Sequence, residues 1–206
     1  MIKKILVCLA VFLLFSIQCS SADSWTNYRL EKHPEYIIAF PESFVVIHDG
    51  MTAQDLVGNP LGMTVEQARG NLAMNSAFML AYSNDYSCTI SIQDADNPDA
   101  TDTDLLSEYD LNDLSDWLAE YTKDGMNAAS GFSVNSIDNY IEETNHHKFI
   151  ILAIDCNIGA NRSLMIQANM MKNRKSIHIT MGFNNYEDVD TDINTFFEVL
   201  KNFIVI

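Results

Sequence analysis

Between Phe149 and Phe183 the apolar residues gather into three runs, FIILAIDC, SLMIQANMM and SIHITMGF. NIGAN and KNRK part them, carrying the Gly, Asn and Lys that suit tight turns, so the stretch predicts a meander of three antiparallel strands. Successive strand side chains point to opposite faces. One face is expected to collect Ile150, Leu152, Ile154 and Cys156 with Leu164, Ile166, Ala168 and Met170, then Ile177, Ile179, Met181 and Phe183, and to be buried. The other mixes Phe149, Ile151, Ala153 and Asp155 with Met165, Gln167, Asn169 and Met171, then Ser176, His178 and Thr180. A sheet wet over one whole face would alternate more cleanly, so helices are expected on both faces, with the second face only partly covered.

The rest of the chain supplies those helices and further strands. Residues 25–30 make a short strand candidate, while YIIAF (36–40) and FVVIH (44–48), joined by Pro41-Glu42-Ser43, predict an opening hairpin. Residues 55–62 hold two Gly and an Asn-Pro and predict a loop. Thr64-Val65-Glu66-Gln67 has the spacing of a capping box and opens a helix with Val65, Ala68 and Leu72 on one face, weakened by Gly70. AFMLAY (77–82) and YSCTISIQ (86–93) predict a second hairpin, and the acidic run 94–104 a long irregular crossing. From Asp110 to about Ala129 a second helix places Leu111, Leu114, Leu118 and Tyr121 on one stripe, widened by Trp117. Residues 134–142 give one more strand. The last helix is the clearest: Val189, Ile193, Phe196, Phe197 and Leu200 recur at helical spacing, with Glu187, Asp188, Asp190 and Asp192 at its start and Lys201 at its end. Residues 203–206 follow as a short buried strand.

The first residues change where this domain is expected to work. Lys3 and Lys4 precede an apolar run from Ile5 to Ile17, and Ser20-Ser21-Ala22 offers the small residues of a signal peptidase site, so cleavage is expected between Ala22 and Asp23. Cys19 follows the run where a lipoprotein would carry its lipid, but Gln18 and Ser16 fit a lipobox poorly. No later stretch is long enough to span a bilayer. With no internal repeat or linker, the chain divides into a signal peptide, residues 1–22, and a single domain, residues 23–206, secreted or held in the cell envelope.

The chain has 28 acidic and 12 basic residues for a formal charge of −16. Loss of the leader takes Lys3 and Lys4 with it and moves the charge to −18, which argues against nucleic acid as a partner. From Asp85 to Glu120 there is no Lys or Arg, whereas Lys148, Arg162, Lys172, Arg174 and Lys175 crowd the meander. The separation reads as two surfaces that attract each other within one fold, with a partner-binding acidic patch as the sharper alternative.

The FPESFVVI step, the helix and hairpin in GMTVEQARGNLAMNSAFMLAYSNDYSCTISIQD, the long helix, the three-stranded run with its Asn/Lys turn and the closing helix with a short apolar end together resemble the PsbP-like α/β/α sandwich. The chain is similar in particular to secreted, uncharacterised members from Gram-positive bacteria. The resemblance implies a central antiparallel sheet flanked by helices, and a role in binding or assembly with a protein or envelope component rather than catalysis. The photosynthetic members assist an oxygen-evolving complex, and no motif here carries that role or any functional residue across.

Candidate chemistry is sparse. Asp94, Asp96, Asp99, Asp102 and Asp104 offer oxygen ligands for Ca²⁺ on an exported protein, but the loop lacks the Gly and closing Glu of an EF-hand. No other cofactor is expected. His146-His147 reads as a solvated turn rather than a zinc site. Cys88 and Cys156 remain after the leader and are free to pair in an oxidising compartment or to stand as two buried thiols; the residues leave both open. Asp155, Gln167, Asn169, His178 and Thr180 form a candidate polar patch on the meander's second face. Asp155 and His178, with Ser176 or Thr180 near, would suit nucleophilic hydrolysis, yet no nucleophile elbow or oxyanion loop accompanies them. A non-enzymatic binding or assembly module is therefore expected first, a small-ligand or calcium-binding protein second, and a hydrolase third.

Overall fold

A computed structural model describes residues 24–183 and 189–206. The leader cut at Ala22–Asp23, Cys19 and the acids Glu187 and Asp188 lie outside the described residues. No helix among the described residues is long and apolar enough to cross a membrane.

The strands in chain order are β1 (Trp25–Tyr28), β2 (Tyr36–Pro41), β3 (Phe44–His48), β4 (Met79–Ser83), β5 (Cys88–Asp96), β6 (Phe132–Glu143), β7 (Lys148–Ile158), β8 (Asn161–Lys172), β9 (Lys175–Phe183) and β10 (Ile204–Val205). The helices are α1 (Val65–Met74), α2 (Glu108–Ala128) and α3 (Val189–Lys201). Seven strands form one antiparallel sheet in the order β3-β4-β5-β9-β8-β7-β6, and β1-β2-β10 form a second. The meander stands as expected. Its second turn is two residues long, Asn173 and Arg174, both at positive φ (51° and 61°), which matches the twist of the strands it joins.

The opening hairpin does not form. β2 pairs with β1 and β10 while β3 pairs with β4, so Pro41 to Ser43 carries the chain from the small sheet to the large one. A Pro, which lacks the ladder donor, ends β2 at that step. α2 starts two residues earlier than expected, because the Ser107 hydroxyl accepts from the Asp110 N–H and caps it, and Gly125 does not break it. At α1 the expected box is complete: the Thr64 hydroxyl accepts from Gln67 N–H at 3.2 Å, and Gln67 Oε1 from Thr64 N–H at 2.8 Å.

The face assignment needs one correction. Across the β7–β8 ladder Ile150 faces Asn169, Leu152 faces Gln167 and Ile154 faces Met165, so the even residues of β7 share a face with the odd residues of β8. Phe149, Ile150, Ile151 and Leu152 are all buried, and a strand apolar at every position carries no alternation from which to choose a side. The first face of the large sheet thus gathers Cys88, Ile90 and Ile92 of β5, Ile151 of β7, Ile166 and Ala168 of β8, and Ile177, Ile179 and Met181 of β9. Over it pack Phe196, Val199 and Leu200 of α3 and Ile38 and Phe40 of the small sheet. Each such fully buried side chain contributes roughly 1.5–3 kcal/mol, so this layer dominates the core.

The second face is covered only at its two ends. Ala68 and Leu72 of α1 pack on Ile47 and Leu80 at one end. Leu114, Leu118 and Met126 of α2 pack on Ile150, Leu152, Ile154 and Cys156 at the other. The partly covered second face expected from the meander is present.

Candidate functional site

One row of the large sheet shows what lies between the two helices. Ile47, Leu80, Ser91, Thr180, Gln167 and Leu152 face one another in turn across β3, β4, β5, β9, β8 and β7. Ile47, Leu80 and Leu152 are buried under the helices, while Ser91, Thr180 and Gln167 are only half-buried. The next row repeats the pattern with Gln93, His178, Asn169 and Ile150. The result is a neutral polar strip flanked by two apolar ends. The alternation of YSCTISIQ and SIHITMGF carries this signal, with Thr89, Ser91 and Gln93 on the polar side of β5.

Where the strip meets α2 there is a cavity of about 280 Å³, lined on the sheet side by Ile150, Asn169, Ser176 and His178 and on the helix side by Leu114, Trp117, Leu118 and Tyr121. Trp117 and Tyr121 were expected in the buried stripe. They are instead 55% and 65% exposed and stack on each other, ring centroids 5.2 Å apart. An i, i+4 pair on a helix meets in this way, and here it walls the cavity rather than entering the core. Among the described residues, no acidic or basic side chain other than His178 lines the space.

The polar groups of the floor have defined roles. Asn169 Nδ2 donates to Ile150 O at 3.3 Å, so its Oδ1 is the acceptor for His178 Nδ1–H at 2.6 Å. His178 Nε2 then keeps a lone pair and has no partner among the described residues. Burial of the ring pushes His178 below its ordinary pKa, which favours the neutral form with that lone pair. Of the expected patch, Gln167, Asn169, His178 and Thr180 come together on one face. Asp155 does not: it faces Leu164 on the opposite side, bound by Arg162 and Asn135, and Arg162 holds its carboxyl low, at about 2. The Asp155–His178 pair of the hydrolase reading is therefore absent, for the same reason of facing.

The acidic run closes on the meander's cations. Lys175 Nζ donates to Asp94 Oδ2 and to Glu35 Oε1, both at 2.7 Å, and Tyr36 O–H donates to the same Asp94 oxygen at 2.9 Å. Asp104 accepts from Lys172 Nζ at 2.8 Å and from Lys148 N–H at 2.9 Å. Burial alone would raise the Asp104 carboxyl, but Lys172, Lys148 N–H and His147 outweigh it and hold it below the carboxylate range. Asp102 lies 3.4 Å from Lys172 Nζ. The five acids proposed for calcium do not converge: among the described residues, the one group with metal-ligand spacing is His33, Glu35 and Asp94. There the Lys175 ammonium already sits between both carboxylates, in the place a cation would take.

His147 is no solvated turn. It is 6% exposed, and its Nε2 accepts the Val205 N–H at 3.1 Å, so Nδ1 carries the proton and donates to Asp104 at 3.0 Å. Nothing in the sequence marks it, because the partner strand lies 58 residues away. The cysteine question is answered by facing and distance: Cys88 points into the α3 layer and Cys156 into the α2 layer, with β9 and β8 between their strands. Neighbouring strands lie about 4.8 Å apart, so the separation exceeds disulfide reach, and both thiols are free and buried.

No family model matches the chain, and no curated protein matches it. Among solved structures the chain is similar to the PsbP protein of the cyanobacterium Synechocystis, at 14% identity and a TM-score of 0.56, over 91% of this chain and 96% of that one. A Pseudomonas aeruginosa protein of unknown function matches at 11% identity and a TM-score of 0.39, over 86% of this chain and 94% of that one. With the sheet order, the helix on one face and the split helices on the other, the protein has the PsbP-like fold.

Proposed function

We propose that the protein is an exported, non-catalytic binding module whose ligand or partner seats on the strip between α1 and α2. The observation that carries this reading is the bare neutral strip itself. A sheet face that is apolar at both ends and polar between them is built to stay open, and the Gln167 and Thr180 side chains and His178 Nε2 are left to an occupant or to water. The aromatic wall of Trp117 and Tyr121 adds the kind of surface on which binding energy concentrates. The Lys3-Lys4 leader supports export, and the small cavity without an activated nucleophile supports binding over catalysis.

Capture from envelope extract tests the site. The double variant Trp117→Ala/Tyr121→Ala is expected to lose what the native chain retains, whereas Ile158→Lys, an exposed change elsewhere, keeps it. Equal capture by all three, with unchanged melting temperatures, would remove the strip from the reading. Mass spectrometry of the protein from its native host checks export: the expected first residue is Asp23, and a retained Met1 or a lipidated Cys19 overturns the cleavage.

A further inference from the structure

The binding reading leaves the ligand's chemistry unnamed, and the strip narrows it. Resting on that reading, we infer that the cavity between α2 and the sheet takes a neutral carbohydrate, with one sugar ring against the Trp117–Tyr121 wall and hydroxyls on the floor.

Four classes can be weighed against the same residues. A phosphate-bearing or carboxylate ligand needs a cation, and among the described residues no acidic or basic side chain other than His178 lines the cavity. A peptide adding as a strand needs an open ladder, but β5, β9 and β8 are interior strands whose backbone groups pair on both sides. A fatty or purely apolar ligand in the cavity would cover the His178 Nε2 lone pair and, where it ran on along the strip, the Gln167 amide and the Thr180 hydroxyl; none of these has a partner among the described residues, and they would lose water with nothing in return. A pyranose meets each requirement. Its C–H face is apolar and flat enough for an aromatic ring, its rim is a ring of uncharged donors and acceptors, and it carries no charge into a chain that is strongly acidic.

The groups are also spaced for it. His178 and Asn169 border the cavity, and Thr180 and Gln167 lie one row further, two residues along the same strands or about 7 Å. The cavity's 280 Å³ is at the small end for a small-molecule site, and the strip beyond it extends the floor for a second ring. Hydroxyls are read well by an amide, a hydroxyl and an imidazole acceptor. Removal of one such partner costs more than loss of an apolar contact, because it leaves a desolvated group unpaired.

The test uses the chain's two tryptophans. In a Trp25→Phe background of the mature protein, Trp117 becomes the only indole, and its emission is titrated with neutral oligosaccharides of glucose and of N-acetylglucosamine. An oligogalacturonate serves as the charged control and decanoate as the apolar one. The expected result is a saturable change with a neutral sugar below roughly 10 mM and none with either control. Gln167→Ala and Thr180→Val, at half-buried positions where the fold tolerates change, should weaken it at least about fivefold with the melting temperature unmoved. No saturable change with any neutral sugar overturns the carbohydrate assignment. A response to decanoate or oligogalacturonate also overturns it but leaves the binding reading standing, as does intact capture that depends on Trp117 and Tyr121. Unaltered capture by Trp117→Ala/Tyr121→Ala overturns the binding reading itself, whatever the sugars do.

Discussion

At the scale of single residues, burial and facing decide what a side chain can do. The His178 ring is desolvated and its folded-state pKa lies below the ordinary 6.5, so as pH falls the unfolded chain takes the proton first. Its contribution to stability is whole above about pH 6.5 and is lost as pH falls through the lower folded value. Urea unfolding measured from pH 7.5 down to 5 should therefore show a stability loss in the native chain that is smaller in His178→Gln; equal slopes would contradict the burial. The thiols give a second test. Burial pushes Cys88 up to about 12 and raises Cys156, so the mature chain should release no thiol to Ellman's reagent at pH 8 until it is denatured, and then two. Release of none after denaturation would mean a disulfide. These outcomes were hidden in the sequence, where Cys88 and Cys156 each sit beside isoleucines and only the sheet tells that the two lie on opposite sides.

Secondary-structure elements were more legible than their partners. Thr64 and Gln67 announced α1 because a capping box is a local arrangement, closed within four residues. Thr64→Ala should cost about 1 kcal/mol. Gly70 lies mid-helix with open space where a Cβ would go, so Gly70→Ala should gain roughly 0.5–1 kcal/mol. Both are read from the midpoint of chemical denaturation, and a loss from Gly70→Ala would show that its surroundings are tighter than described. Pairings over long distances were less accessible. FVVIH reads as a strand, but that its neighbour is β4 rather than β2 depends on α1 lying in between and on Pro41 ending β2. On α2 the pattern gave the correct helix and the wrong burial for Tyr121: an aromatic on the border of an apolar stripe looks the same whether it enters a core or walls a cavity. β6, at the edge of the large sheet, carries a register shift between Val134 and Ser136 and the acids Asp138, Glu142 and Glu143. A bulge and charges of this kind keep an open edge from pairing with another chain.

Over the whole molecule, the two opposite charge runs resolve into bonds that tie the layers. Lys175 joins β9 to Asp94 of β5 and to Glu35 beside β2, and Lys172 joins β8 to Asp102 and Asp104. This self-attraction takes up Asp94, Asp102 and Asp104 of the acidic run. The two sheets meet around Phe203, whose ring lies 5.8 Å from Tyr36, 6.3 Å from Phe149 and 6.5 Å from His147. Phe203→Ala should cost about 3–5 kcal/mol by equilibrium unfolding. A loss below about 1 kcal/mol would show that the small sheet and the large one do not share a core.

β2 is held between β1 and β10, and Ile206 N–H donates to Glu35 O beside it. The centre strand of the small sheet is separated from one of its two neighbours by more than 160 residues of chain. Until residues 204–206 pair with it, Tyr36, Ile38 and Phe40 have an incomplete partner layer, and contacts of such sequence separation form slowly. The large sheet, complete by Phe183, does not wait for β10; the small sheet does, so its closure is expected to be the later step of folding.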